Sequence, residues 1–151
     1  MNRSILILFL GLAASLGAES SAPEEGRSRF RALDIYLDSK GAPLAAFQLE
    51  LAITNHTARI VGIEGGQHPA FSEPPFYDSR AIQHERVILA AFSTNSPALL
   101  PAARTRVATV HIQLLGPSAP LYALNVEAAA DAEGRRILAH ATCEERKTSE
   151  N

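Results

Sequence analysis

The sequence predicts an all-β fold, a two-sheet antiparallel β-sandwich, and three observations carry that prediction. Apolar side chains recur with period two in one short segment after another. Gly, Pro, Asn and Asp cluster between those segments, as turns require. No apolar stripe at helical spacing persists for the dozen or so residues that a core helix needs. The chain has 151 residues, 46% hydrophobic and 20% charged, which suits one globular domain and excludes a disordered or fibrous chain. Fourteen Lys and Arg (14) against 16 Asp and Glu, with no Trp, leave no clustered basic surface, so nucleic acid is not an expected partner.

Taken in order, Leu33, Ile35 and Leu37 alternate with Asp34, Tyr36 and Asp38, and Phe47, Leu49, Leu51 and Ile53 alternate with Gln48, Glu50 and Ala52. Both are half-buried strands, with a hairpin or a short crossing connection at Ser39 to Pro43. Residues 59–64 form a third strand, stopped by Gly65 and Gly66. Val87 to Phe92 is apolar on both faces, which predicts a central strand covered on each side. Residues 106–114, 121–128 and 137–143 complete the set, the last two separated by the turn-rich Asp131 to Gly134. A helical turn is expected only at Asp78 to Gln83, opened by an Asp cap, and at Ala128 to Ala130.

The two ends read differently. Arg3 precedes a run of apolar residues from Ile5 to Leu16, followed by small Gly17 and Ala18, the pattern of a secretory signal peptide over 1–18. That run is shorter than the roughly 20 apolar residues of a membrane-spanning helix, and acidic Glu19 follows it, so no membrane anchor is expected after cleavage. Residues 19–29 are polar, with Pro and Gly, and read as a flexible leader; 144–151 read as a disordered tail, leaving a domain over 30–143. Cys143 is the one cysteine, so an exported, secreted or periplasmic chain must be stable without an internal disulfide. Nothing beside Cys143 suggests thiolate activation, and it reads as a half-buried strand residue.

The succession Phe47-Gln48-Leu49, Ile60-Val61-Gly62-Ile63-Glu64-Gly65-Gly66, Val87-Ile88-Leu89-Ala90-Ala91-Phe92-Ser93, Arg106-Val107-Ala108-Thr109-Val110-His111-Ile112 and Tyr122-Ala123-Leu124 resembles the strands of cohesin-like domains, over roughly residues 33–126. The resemblance implies a jelly-roll sandwich in the carbohydrate-binding superfamily and a non-catalytic receptor role, usually for a dockerin module. The chain departs from that pattern at Leu100-Pro101-Ala102, where a Gly often stands. Nothing in it looks like a dockerin or a fused hydrolase.

The most unusual stretch is the loop Gly65 to Asp78, which gathers Phe71, Phe76 and Tyr77 with Pro69, Pro74 and Pro75, His68, Glu73 and Asp78. Prolines that fix the backbone reduce the entropy lost on binding, and flat rings suit a sugar ring or a partner's side chain. The candidate ligand or partner contacts are therefore His68, Phe71, Phe76, Tyr77 and Asp78. The alternative is that Phe71 and Phe76 turn inward to close one end of the sandwich.

Catalytic machinery is thin. His56, His68, His84, His111 and His140 lack the spacing that aims two ligands at one ion, and Asp34, Asp38 and Asp78 lie in no calcium loop. Glu64 and Glu73 are two carboxylates without the geometry of a glycosidase pair. No nucleophile elbow or phosphate-binding loop occurs, so no enzyme, metal or cofactor is expected. Asn55-His56-Thr57 fits an N-glycosylation acceptor and marks a surface turn. Arg104 and Arg106 join Arg135 and Arg136 in a basic patch only if their strands adjoin; otherwise they are edge charges. The expected role is an exported binding module for a protein or a polysaccharide, the alternative a self-associating structural subunit.

Overall fold

A computed structural model of the chain describes residues 29–146. The expected signal peptide 1–18, the expected leader but for Arg29, and residues 147–151 lie outside the described residues. Seven strands, β1 (Arg29–Asp38), β2 (Ala46–Ile53), β3 (Ala58–Gly65), β4 (Arg86–Phe92), β5 (Thr105–Leu114), β6 (Tyr122–Ala130) and β7 (His140–Glu145), form two antiparallel sheets. One sheet has the order β3-β5-β1-β7, the other β4-β2-β6. Odd-numbered strands fall in the first and even-numbered strands in the second, so the chain changes sheet at every connection.

Period-two patterning is what stacks these layers. Leu33, Ile35 and Leu37 of β1, with Val110 and Ile112 of β5, face Leu49 and Leu51 of β2 and Leu89 of β4, and all are fully buried. Each such side chain contributes roughly 1.5–3 kcal/mol relative to exposure. Among the described residues no helix is long and apolar enough to cross a membrane, and the helical turns are single 3-10 turns.

Four expectations need correction, and one left open is decided. β4 is the edge strand of its sheet, not a central one. Its run is apolar on both faces because Val87 and Leu89 enter the core while Ile88 and Phe92 stand on the outer face, 37% and 65% exposed. Of the two connections expected after β1, the crossing one is found, since β1 and β2 belong to different sheets. Ala128 to Ala130 continue β6 as strand, paired to Gln48, Phe47 and Ala46. At the C-terminal end, β7 runs on into the segment read as tail, with Glu144 opposite Asp34 and Glu145 opposite Leu33. Ion pairs hold it there: Arg31 with Glu145, Arg104 with Glu144 at 2.6 Å, and Arg146 with Asp34 at 2.6 Å. Similarly, Arg29 of the expected leader already belongs to β1.

Candidate binding surface

The loop after β3 is shaped by backbone proximity before any side chain acts. A Cβ at Gly65 would stand 1.9 Å from the Ser72 carbonyl oxygen, and one at Gly66 2.2 Å from that of Arg106, so only glycine allows the chain to fold back on itself here. Gly66 N–H donates to Phe71 O at 2.7 Å and closes the turn. Inside it, Pro69–Phe71 forms a 3-10 turn whose first N–H groups would lack partners; His68 Nδ1 accepts from Ala70 N at 3.1 Å and caps it.

The loop's aromatics then part company. Phe71 is 3% exposed and packs edge-on against Phe47, ring centroids 5.3 Å apart. Phe76 is 70% exposed, because its backbone is bonded to Ala90 in both directions, at 2.7 and 3.0 Å, which turns the side chain away from the core. Its ring lies nearly parallel to that of Phe92 with centroids 6.2 Å apart. Between them and Ala70, Phe71, Glu73, Pro74 and Ala91 runs a shallow groove of about 220 Å³. Tyr77 is partly exposed beside it. Asp78 caps the second 3-10 turn, Ser79–Ala81, by accepting from Arg80 N, and its carboxylate also meets the Arg80 guanidinium at 2.6 Å. Hydrogen bonds from Arg80 hold the Asp78 carboxyl below its ordinary range.

Of the five expected contacts, Phe76 and Tyr77 therefore reach the surface, Phe71 serves the core as the alternative reading had it, and His68 and Asp78 cap turns. The sequence reading missed Phe92 and Ile88, which it had assigned to a covered strand. Their signal was present: an apolar residue at every position of a short strand also arises when one face of the sheet is apolar and open.

Phe92 stands at one corner of a face with little charge. The outward positions of β4-β2-β6 form rows: Phe92, Ala46 and Ala130; Ala90, Gln48 and Ala128; Ile88, Glu50 and Asn125; Arg86, Ala52 and Ala123. Its charged groups are engaged among themselves, Glu50 by Arg86 and Glu127 by Gln48.

The outer face of β3-β5-β1-β7 is its opposite in chemistry. Asp34 accepts from Thr109 Oγ1 at 2.7 Å and from Arg146 at 2.6 Å, while Arg106 donates to Thr109 Oγ1 at 2.6 Å. Partial burial would raise the Asp34 pKa, but the bonds from Arg146 and Thr109, with the charges of Arg146 and Arg106, outweigh it and hold the carboxyl below 3.8. Arg104 lies 3.6 Å over the Tyr36 ring, and Glu64 Oε1 stands 2.9 Å from His111 Nε2, off the line of its N–H.

The remaining candidates are held structurally. Arg135 pairs with Asp131 at 2.8 Å, Arg136 donates to Glu127 O at 3.1 Å, Arg104 pairs with Glu144 at 2.6 Å and Arg106 donates to Thr109 Oγ1 at 2.6 Å, so each of the four arginines is engaged by a partner of its own. Asn55 donates to Ala119 O at 2.9 Å and accepts from Leu121 N and Thr57 Oγ1, tying the β2–β3 turn to the segment before β6. Cys143 faces inward opposite Ile35, and burial together with Glu145 and Glu144 pushes its thiol pKa up. Among the described residues no group of three His, Cys, Asp or Glu is placed to hold a metal ion.

Fold and surface together define a two-sheet β-sandwich with one face crossed by an Asp34–Thr109–Arg106–Arg146 network and another on which Ile88 and two stacked phenylalanines stand exposed among alanines. Compared with family models, with curated proteins and with solved structures, the chain matches none.

Proposed function

We propose that the protein is an exported, non-catalytic binding module of the cohesin-like type, taking a protein partner or a polysaccharide on the β4-β2-β6 face and the loop beside it. The observation that carries this reading is the pair Phe76 and Phe92, 70% and 65% exposed and stacked on one another at the corner of a face whose charged groups are engaged among themselves, Arg86 with Glu50 and Glu127 with Gln48. Exposed aromatics of this kind are costly in water and are characteristic of surfaces that dock. A sandwich that winds between its sheets at every connection agrees with the jelly-roll architecture implied by the resemblance. Between the two ligand classes, a protein partner suits the surface better: the groove at Phe76 and Phe92 offers Glu73 as its one charged side chain, where a sugar needs several hydrogen-bonding groups.

The test uses the domain as bait against exported proteins and, separately, in affinity gels containing soluble polysaccharides. Phe76→Ala combined with Phe92→Ala abolishes capture and leaves the melting temperature within about 2 °C, since neither ring is buried. Undiminished capture by the double variant overturns the assignment of the surface. Self-association is the second use of such a face, and sedimentation of the domain alone distinguishes it by a concentration-dependent dimer.

A further inference from the structure

We infer that the groove beside Phe76 and Phe92 takes an arginine side chain of the partner protein, its guanidinium lying on the rings and donating to Glu73; this deepens, and rests on, the reading of the chain as a binding module. The groove measures about 220 Å³. A small-molecule site takes roughly 300–1,000 Å³, so the space suits one long side chain rather than a whole ligand. The buried Phe71 and the half-buried Ala70 and Ala91 lie deepest in it, while Glu73, Pro74, Phe76 and Phe92 stand exposed around it. The Phe76 and Phe92 rings are 10° from parallel, so their faces turn the same way. The face of an aromatic ring is its negative side and attracts a cation.

The charge of the groove comes from Glu73, and this carboxylate differs from the rest. Among the described residues every other Asp and Glu stands against an arginine, lysine, histidine or glutamine of the protein itself. Within the same residues Glu73 makes no side-chain hydrogen bond and no ion pair, and no Lys or Arg lines the groove to meet it. A cation arriving from a partner therefore breaks no internal pair. The molecule also shows which cation suits a ring beside a carboxylate. Arg104 lies 3.6 Å over the Tyr36 ring and donates to Glu144 at 2.6 Å, so one guanidinium serves both. Its flat face stacks while its N–H groups point outward in the plane, whereas a lysine ammonium is a compact and strongly hydrated point charge. Glu73, Phe76 and Phe92 repeat the ring and the carboxylate, and leave the arginine for the partner to supply.

The experiment titrates the isotopically labelled full chain with a capped pentapeptide that carries arginine between two leucines and terminal glycines, and follows amide chemical shifts. The expected result is saturable shifts at Glu73, Phe76 and Phe92, and about tenfold weaker binding when citrulline, uncharged and of the same shape, replaces the arginine. Glu73→Gln weakens the arginine peptide by about threefold, leaves the citrulline peptide unchanged and does not move the melting temperature, since the side chain is exposed. Absence of saturable shifts overturns the proposal, as does equal affinity for the arginine and citrulline peptides. A lysine peptide that binds as tightly as the arginine one overturns it too. A dimer formed without peptide and dissolved by Phe92→Ala assigns the groove to a second copy and has the same consequence. Capture of exported proteins separates this proposal from the one above. Loss of capture in Phe76→Ala with Phe92→Ala but not in Glu73→Gln refutes the arginine alone, whereas capture retained in both refutes the docking face as well.

Discussion

The two outer faces of the sandwich are built on one core and carry opposite chemistry. On β3-β5-β1-β7, Asp34, Thr109, Arg106 and Arg146 satisfy one another in a network across β1, β5 and the residue after β7. On β4-β2-β6, alanines flank Ile88 and Phe92, and apolar area remains in contact with water. A polar network that closes on itself leaves little for water to do, whereas exposed apolar area is the part of the surface to probe.

The sharpest way to break that comparison lies where the aromatic loop meets the core. Phe71→Ala empties a buried site against Phe47 and should cost about 3–5 kcal/mol in urea denaturation, whereas Phe76→Ala, one turn further on, should cost less than about 0.5. Equal costs would mean that both rings belong to the interior. Next in size, Thr109→Val removes the hydroxyl that bonds Asp34, Arg106 and Arg146 and leaves their polar groups short of a partner. A loss of about 1–3 kcal/mol is expected, against almost none for Ala123→Val on the opposite face.

Acid sharpens the contrast further. Because the folded protein holds Asp34 below its ordinary pKa of 3.8, its contribution is complete above that value and is lost as pH falls through the lower folded pKa. Melting temperatures measured downward from pH 5 should fall less steeply in Asp34→Asn than in the parent, with the residual slope coming from Asp38, Glu50, Asp78 and Asp131, also held low. Smallest in thermodynamic effect is Cys143: its raised thiol pKa predicts slow alkylation at pH 7.5 in the folded chain and fast alkylation in urea, followed by mass spectrometry.

Strands were legible wherever period-two alternation is enforced by a core on one side. Leu33, Ile35 and Leu37, or Phe47 to Ile53, could hardly lie elsewhere. The reading failed where another force acts. For β4 it took exposed Ile88 and Phe92 as buried, because hydrophobicity alone does not say whether the cover is the protein's own or a partner's. For Glu144 to Arg146, the partners Arg104, Arg31 and Asp34 are distant in sequence and leave no local pattern. Within the loop, a segment without a period could not say that Phe71 turns in and Phe76 out; that choice follows from the bond between Phe76 and Ala90. The caps at His68 and Asp78 lie at the border, since Asp78 was legible as a cap and His68 was not.

One consequence of the winding concerns how the protein comes into being. Among the described residues none of the seven strands is laddered to its successor: β1 waits for β5 and β7, and β2 for β4 and β6. With the short turn at Ala129 to Ile137 as local pairing, assembly of the sheets must bring together distant parts of the chain and should proceed slowly for a molecule of this size. A growing polypeptide gains its first completed ladder only when β4 has appeared beside β2, and the long central pairing of β1 with β5 comes later still.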